Sequence, residues 1–264
     1  MNRFKLAGIG VTTLLCLLIA CEPSGDEPEE ILMQVVSQGN QLVSVTNAEG
    51  WQVSLDAFDL CITNLEFTQE GEAHASLLKR ISDFLIPEAM AHPGHLAAGD
   101  VTGTLNGRWL ISFLNPPQSL GQATILEGTY NGLNLSYCAA DASMGVAADN
   151  PVHGHHAYIS GTAAKNSATI QFTAQIDIAD DPKLWGGVFE LDVTASTTST
   201  LALRPLTVDP SEGDTFFDGL DFGVLDEDGD GKVALVAGMP AHNILMKTLL
   251  SHDHWSVVAT NTGE

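Results

Sequence analysis

The chain is poor in basic residues: ten lysines and arginines stand against 33 acids in 264 residues, a formal net charge of −23. A surface of that sign repels nucleic acid and anionic lipid, and so argues against both as partners. After the first twenty residues no uninterrupted apolar run is long enough to span a bilayer. Catalytic signatures are lacking too. No G-x-S-x-G elbow, H-E-x-x-H helix, P-loop or G-x-G-x-x-G fingerprint stands in the right context. Ser251, His252 and Asp253 are triad residue types, but neighbours on a strand face opposite ways and cannot form a relay. Nothing identifies a substrate pocket, so no catalytic residue is assigned.

The N-terminal segment MNRFKLAGIGVTTLLCLLIAC has a basic start at Arg3 and Lys5, an apolar run from Leu6, and Leu18-Ile19-Ala20-Cys21 at its end. These are the regions of an export signal in order, which assigns residues 1–20 to a signal peptide. The last four residues resemble the bacterial lipobox, in which the cysteine is acylated and becomes the new N-terminus. The resemblance implies lipidation at Cys21, an N-terminal lipid anchor as the one membrane contact, and a place in the cell envelope. Glu22 after it points to the outer membrane rather than the inner one if the source is Gram-negative. Residues 21–30, rich in acids with Pro, Ser and Gly, cannot bury apolar area and read as a tether. Cys61 and Cys138 remain, and in an oxidising compartment an even pair reads as a disulfide.

Residues 31–260 read as the folded part, and its dominant signal is the strand. In SATIQFTAQIDI, Ala168, Ile170, Phe172, Ala174, Ile176 and Ile178 fall on one face and polar residues on the other. That is period-two alternation, one side on a core and one in water. GVFELDVTA, STLALRPL, WQVSLDAFDLCITNLEFT and ATILEGTYNGLNLSYC are similar runs broken by turn residues. The expectation is an all-β fold, an antiparallel β-sandwich or two closely packed ones, with one or two short helices. The helical exceptions are ASLLKRISDFLIPEAM, with Leu77, Leu78, Ile81, Phe84 and Leu85 at helical spacing, and the stretch from Pro240, with Ile244, Leu245 and Leu249 inward. DASMGVAADNPV reads as a long loop leading to PVHGHHAY.

Eight of nine histidines gather in a few places. On a strand, residues i and i+2 share a face about 6–7 Å apart, so a His-x-His pair can aim two imidazoles at one ion. His153 and His155 form one such pair, continued by Ala157 and Ile159, while His156 faces the other way. His252 and His254 form another, and His92-Pro-Gly-His95 adds a turn that could bend two more imidazoles together. Histidine suits zinc or copper(II), whereas thioether sulfur favours copper(I). Met90 near His92, and Met239 and Met246 around His242, belong to that second chemistry. The plainer alternative is that these histidines decorate loops and a strand edge.

LDEDGDGKV resembles the first half of a calcium loop of the EF-hand or dockerin type, with Asp226, Asp228 and Asp230 before Gly231 and apolar Val233 at position eight. Position twelve is Ala237, so the bidentate glutamate is missing; Asp214, Asp218 or Asp221 could replace it. The same letters also make an acidic hairpin turn. EGWQVSLDAFDLCITNLEF, WLISFL and EGTYNGLNL together resemble the envelope β-sandwich lipoproteins, including the periplasmic copper-binding proteins that partner methanobactin export. That resemblance implies copper without supplying ligand positions. The first expectation is therefore an envelope lipoprotein binding copper or zinc through His92, His95, His153, His155, His252 and His254, for capture, buffering or delivery. The other is a calcium-stabilised structural or adhesive sandwich in which the histidines are incidental.

Overall fold

The structure is a computed structural model, and it describes residues 29–69, 100–178 and 182–260. Twelve strands form one sheet. They are β1 (Glu30–Ser37), β2 (Val45–Thr46), β3 (Gln52–Gln69), β4 (Asp100–Ser112), β5 (Ser119–Leu126) and β6 (Gly128–Tyr137), followed by β7 (Ala157–Lys165), β8 (Ala168–Ile176), β9 (Lys183–Val193), β10 (Thr200–Pro205), β11 (Lys232–Leu235) and β12 (Trp255–Thr260). Among the described residues two α-helices, α1 (Phe222–Leu225) and α2 (Pro240–Leu249), interrupt them. Among the described residues no helix is long and apolar enough to cross a membrane.

The all-β architecture expected from the alternating pattern is the one the chain adopts. β8 buries Ile170, Phe172, Ala174 and Ile176, and β10 buries Leu201 and Leu203. Pairing is mixed rather than antiparallel throughout, because β1 with β10, β12 with β9 and β11 with β8 run parallel. Parallel neighbours cannot be joined by a tight hairpin, so each of these pairs brings together distant stretches of chain. Hydrogen-bonded neighbours run β3–β4–β5–β1–β10–β12–β9–β6, and β6 pairs β3 again. Eight strands therefore close into a ring.

β3 makes this possible by being long. One edge takes β4 from Asp59 to Gln69. The other takes β7 from Gln52 to Leu60 and then β6 from Ile62 to Gln69. The sheet forks at Cys61, and β7, β8 and β11 branch away from the ring there. A fork opens a gap in the ladder, so its backbone groups need other partners. Cys61 N–H donates to the His156 carbonyl at 2.9 Å, and Cys138 N–H to the Cys61 carbonyl at 3.0 Å.

One apolar cluster runs from Ile31 to Val257 and fills the inside. Phe58 sits edge-on to both Phe113 and Phe216. Trp255, fully buried, donates from Nε1 to the Leu249 carbonyl at 3.0 Å, and the Tyr137 hydroxyl donates to the same oxygen. The last turn of α2 is thus fastened to the core, its free carbonyl satisfied twice. Burial pushes the Tyr137 phenol well above its ordinary range. A second, smaller cluster lies at the fork: Cys61, Ala140, Val146 and Val152, flanked by Leu110, Met144 and Tyr158.

Candidate functional site

Cys61 and Cys138 form the expected disulfide. It holds the segment from Cys138 to His156 over the fork. That segment is the loop anticipated from its composition. It contains a single 3₁₀ turn at Ala142–Met144, capped by the Asp141 carboxylate accepting from Ser143 N–H at 2.8 Å. Arg108 reaches Asp141 at 2.9 Å. Both Ser143 and Arg108 hold the Asp141 carboxyl down, to about 2.

The histidine run lies at the end of this loop. β7 begins at Ala157, so His153, His155 and His156 stand in turns before the strand rather than on it. The same-face argument for His153 and His155 therefore fails, because it needs extended backbone through Gly154, whose φ is +86°. His155 instead places Nδ1 2.9 Å from Asp177 Oδ1. His156, the residue set aside as facing away, accepts the Ile178 N–H on Nδ1 at 3.3 Å. Burial lowers its pKa; Asp177 opposes that shift and His155 adds to it. Asp177 is the partner that sequence reasoning missed. It ends the polar face of β8, where solvent exposure was explanation enough.

His252 and His254 do not lie on a strand either. They occupy a 3₁₀ turn, His252–His254, directly before β12. His252 Nδ1 lies 2.6 Å from Asp253 Oδ1, and His254, buried against the Phe216 ring, sets Nδ1 3.0 Å from the Leu206 carbonyl. The pair is thus turned to its own local partners. His92, His95, Cys21 and the helix expected from ASLLKRISDFLIPEAM lie outside the described residues. Among the described residues, two groups bring three or more His, Cys or acidic ligand atoms within 4.8 Å, and neither includes a histidine.

One of these groups is Asp226, Asp228 and Asp230. The loop starts where α1 ends and finishes in β11. Gly229 and Gly231 carry φ of +72° and +77°, which lets the chain turn sharply enough for alternate carboxylates to converge. Gly231 N–H donates to both Asp226 oxygens, at 3.3 and 3.1 Å, and Lys232 N–H to Asp230 Oδ1 at 2.8 Å. Val233 at position eight enters the core, as the loop pattern requires. The suggested replacements for the missing glutamate are otherwise engaged. Asp218 accepts from Ala48 N–H and from the Thr215 N–H and hydroxyl. Asp221 caps α1 through Gly223 N–H and accepts the Trp51 Nε1–H at 3.1 Å.

Asp214 belongs to the other acidic group, with Asp209 and Glu212. Burial raises its pKa and His254 lowers it, while Asp209 and Glu212 raise it further. The Asp209-x-x-Glu212-x-Asp214 spacing was visible, but no loop motif marks it. Comparison of the chain with protein-family models, curated proteins and solved structures finds no match.

Proposed function

We propose that the protein is an exported, lipid-anchored β-domain of the cell envelope, structural or adhesive in role, whose fold is stabilised by calcium at Asp226, Asp228 and Asp230. The observation that carries this reading is the convergence of those three carboxylates within 4.8 Å in the D-x-D-x-D-G loop. Hard cations take oxygen ligands from such loops, and a carboxylate triplet held by backbone N–H groups needs little rearrangement to accept one. The loop delivers β11 to the edge of β8, so cation binding here ties down the outer strand of the branch. The purified chain is expected to melt higher in calcium than in chelator, and Asp228→Ala to remove that difference. Equal melting temperatures with and without calcium would overturn the reading.

A second reading is capture, buffering or delivery of copper or zinc. Its support is the corner where His155 bonds Asp177 and the same carboxylate's charge acts on His156, with His156 kept toward its neutral, metal-binding form by burial. His153, two residues before His155 in the chain, and His92 and His95, outside the described residues, would have to join it. It expects stoichiometric metal in a chelator-free preparation, lost on replacing His153 and His155 together. Metal-free protein that takes up neither ion ends that reading.

A further inference from the structure

His242 is 3% exposed, and among the described residues neither ring nitrogen has a hydrogen-bond partner. An imidazole in apolar surroundings normally satisfies at least one nitrogen, since leaving a buried polar atom unpaired costs about 1–3 kcal/mol. Here two are unpaired on one side chain. Such an orphan leaves a ring lone pair that a metal ion can take.

The neighbouring sequence supplies one by its chemistry. His242 lies on the buried stripe of α2 with Ala241, Leu245 and Leu249. Met246 follows it by one helical turn, and Met239 precedes it by three residues at the N-cap. His242 and Met246, four apart within the helix, share a face with Cβ atoms about 5–6 Å apart, while Met239 is the extended N-cap just ahead of the first turn. Both methionines are partly buried and pack on the same core. Met239 Sδ accepts only a long bond, 3.5 Å, from Val236 N–H.

We propose that His242, Met239 and Met246 form a soft-metal site for a monovalent ion, copper(I) in the first place. The three ligands are neutral. In an apolar wall a divalent ion held by neutral ligands keeps its full charge and a large desolvation cost, whereas a monovalent one loses far less. Thioether sulfur favours copper(I) over zinc or calcium, and imidazole accepts copper as well. The partly exposed methionines give the ion a way in, and a Cβ built at Gly238, in the turn before them, meets no described atom within 4 Å. The site is separate from the aspartate loop and from the histidine run, so it stands or falls independently of both functional readings.

The test uses the full purified chain carrying ¹³C-methyl methionine, titrated anaerobically with copper(I) and, in parallel, with silver(I) as a redox-inert stand-in. The methyl signals of Met239 and Met246 are expected to shift together at one equivalent, and X-ray absorption to show mixed sulfur and nitrogen ligation. Met239→Leu with Met246→Leu keeps the volume of the core. It is expected to weaken binding by more than about tenfold, since even an outer-shell partner is worth that much. Replacing His153 and His155 by alanine is expected to leave this binding unchanged. Methyl signals that stay in place in the unmutated chain, ligation by nitrogen and oxygen alone, or loss of binding in the His153/His155 variant would each overturn the proposal.

Discussion

Asn47 and Phe217, 170 residues apart in the chain, are joined by a hydrogen bond of 3.0 Å from the Asn47 amide nitrogen to the Phe217 carbonyl. The same nitrogen donates to the Leu220 carbonyl at 2.9 Å, and the amide oxygen accepts from Trp51 N–H at 2.9 Å. One buried side chain thus answers three backbone groups and pins the 215–221 segment to the turn before β3. Asn47→Ala leaves those groups unpaired, at about 1–3 kcal/mol each before relaxation. The expected outcome is a clear fall in the denaturation midpoint, with Asn47→Asp recovering less than half of it. A midpoint within experimental error of the parent refutes the assignment.

The disulfide closes a loop between residues separated by 77 positions. A crosslink of that span lowers the entropy of the unfolded chain, with a usual effect of about 2–4 kcal/mol. Replacing Cys61 and Cys138 together by alanine is expected to lower stability by that order. The segment 138–156 should also become the first part cut by protease. Unchanged protection of that segment would show that packing alone holds it.

Asp141 carries a pKa lowered to about 2 by Ser143 and Arg108. A depressed carboxyl stabilises the fold above its unfolded value of 3.8, and that contribution disappears as pH falls through about 2. Arg108→Ala is expected to move the Asp141 titration upward, as followed by carboxyl ¹³C shifts. No movement would leave Ser143 as the sole cause.

His156 titrates below its ordinary value of 6.5 because burial disfavours the charged ring. The folded state therefore binds its proton less readily than the unfolded state. Stability from this group is complete above pH 6.5 and declines as pH drops through and below it. His156→Gln keeps an acceptor for Ile178 N–H and should flatten that part of the pH–stability curve. A curve identical to the parent between pH 5 and 7, the window about 6.5 where an ordinary histidine titrates, places the pH dependence elsewhere.

Where a segment's neighbours are local, its structure was legible. β8 could be read from alternation alone, and α2 from Pro240 in its first turn and its apolar spacing, with Leu245 and Leu249 buried as expected. The convergence of Asp226, Asp228 and Asp230 was legible because all three sit within five residues. The histidine pairs were misjudged for a definite reason. SHDHW and VHGHH abut real strands, but Gly154 at positive φ and the 3₁₀ turn at His252–His254 rotate the side chains off the face that extended backbone would give. His155 with Asp177 depends on the two ends of the β7–β8 hairpin meeting, and Asp209 with Asp214 on a local turn that no loop motif marks. The ring itself depends on the β1–β10 and β12–β9 pairings, which no periodicity in a single stretch encodes.

Ring closure also sets an order of events for folding. β10 has β1 on one side and β12 on the other, while β9 lies between β12 and β6. Until β12 arrives, β9 and β10 each expose an unpaired edge, and the ring has a gap one strand wide. An emerging chain can assemble the local hairpin β7–β8 early. It cannot close the ring until residues near 260 are available. Folding is therefore governed by long-range joins, slow by topology, with open strand edges as the hazard in the interval. A cell making this protein gains by keeping it unfolded and shielded until the whole chain can meet itself.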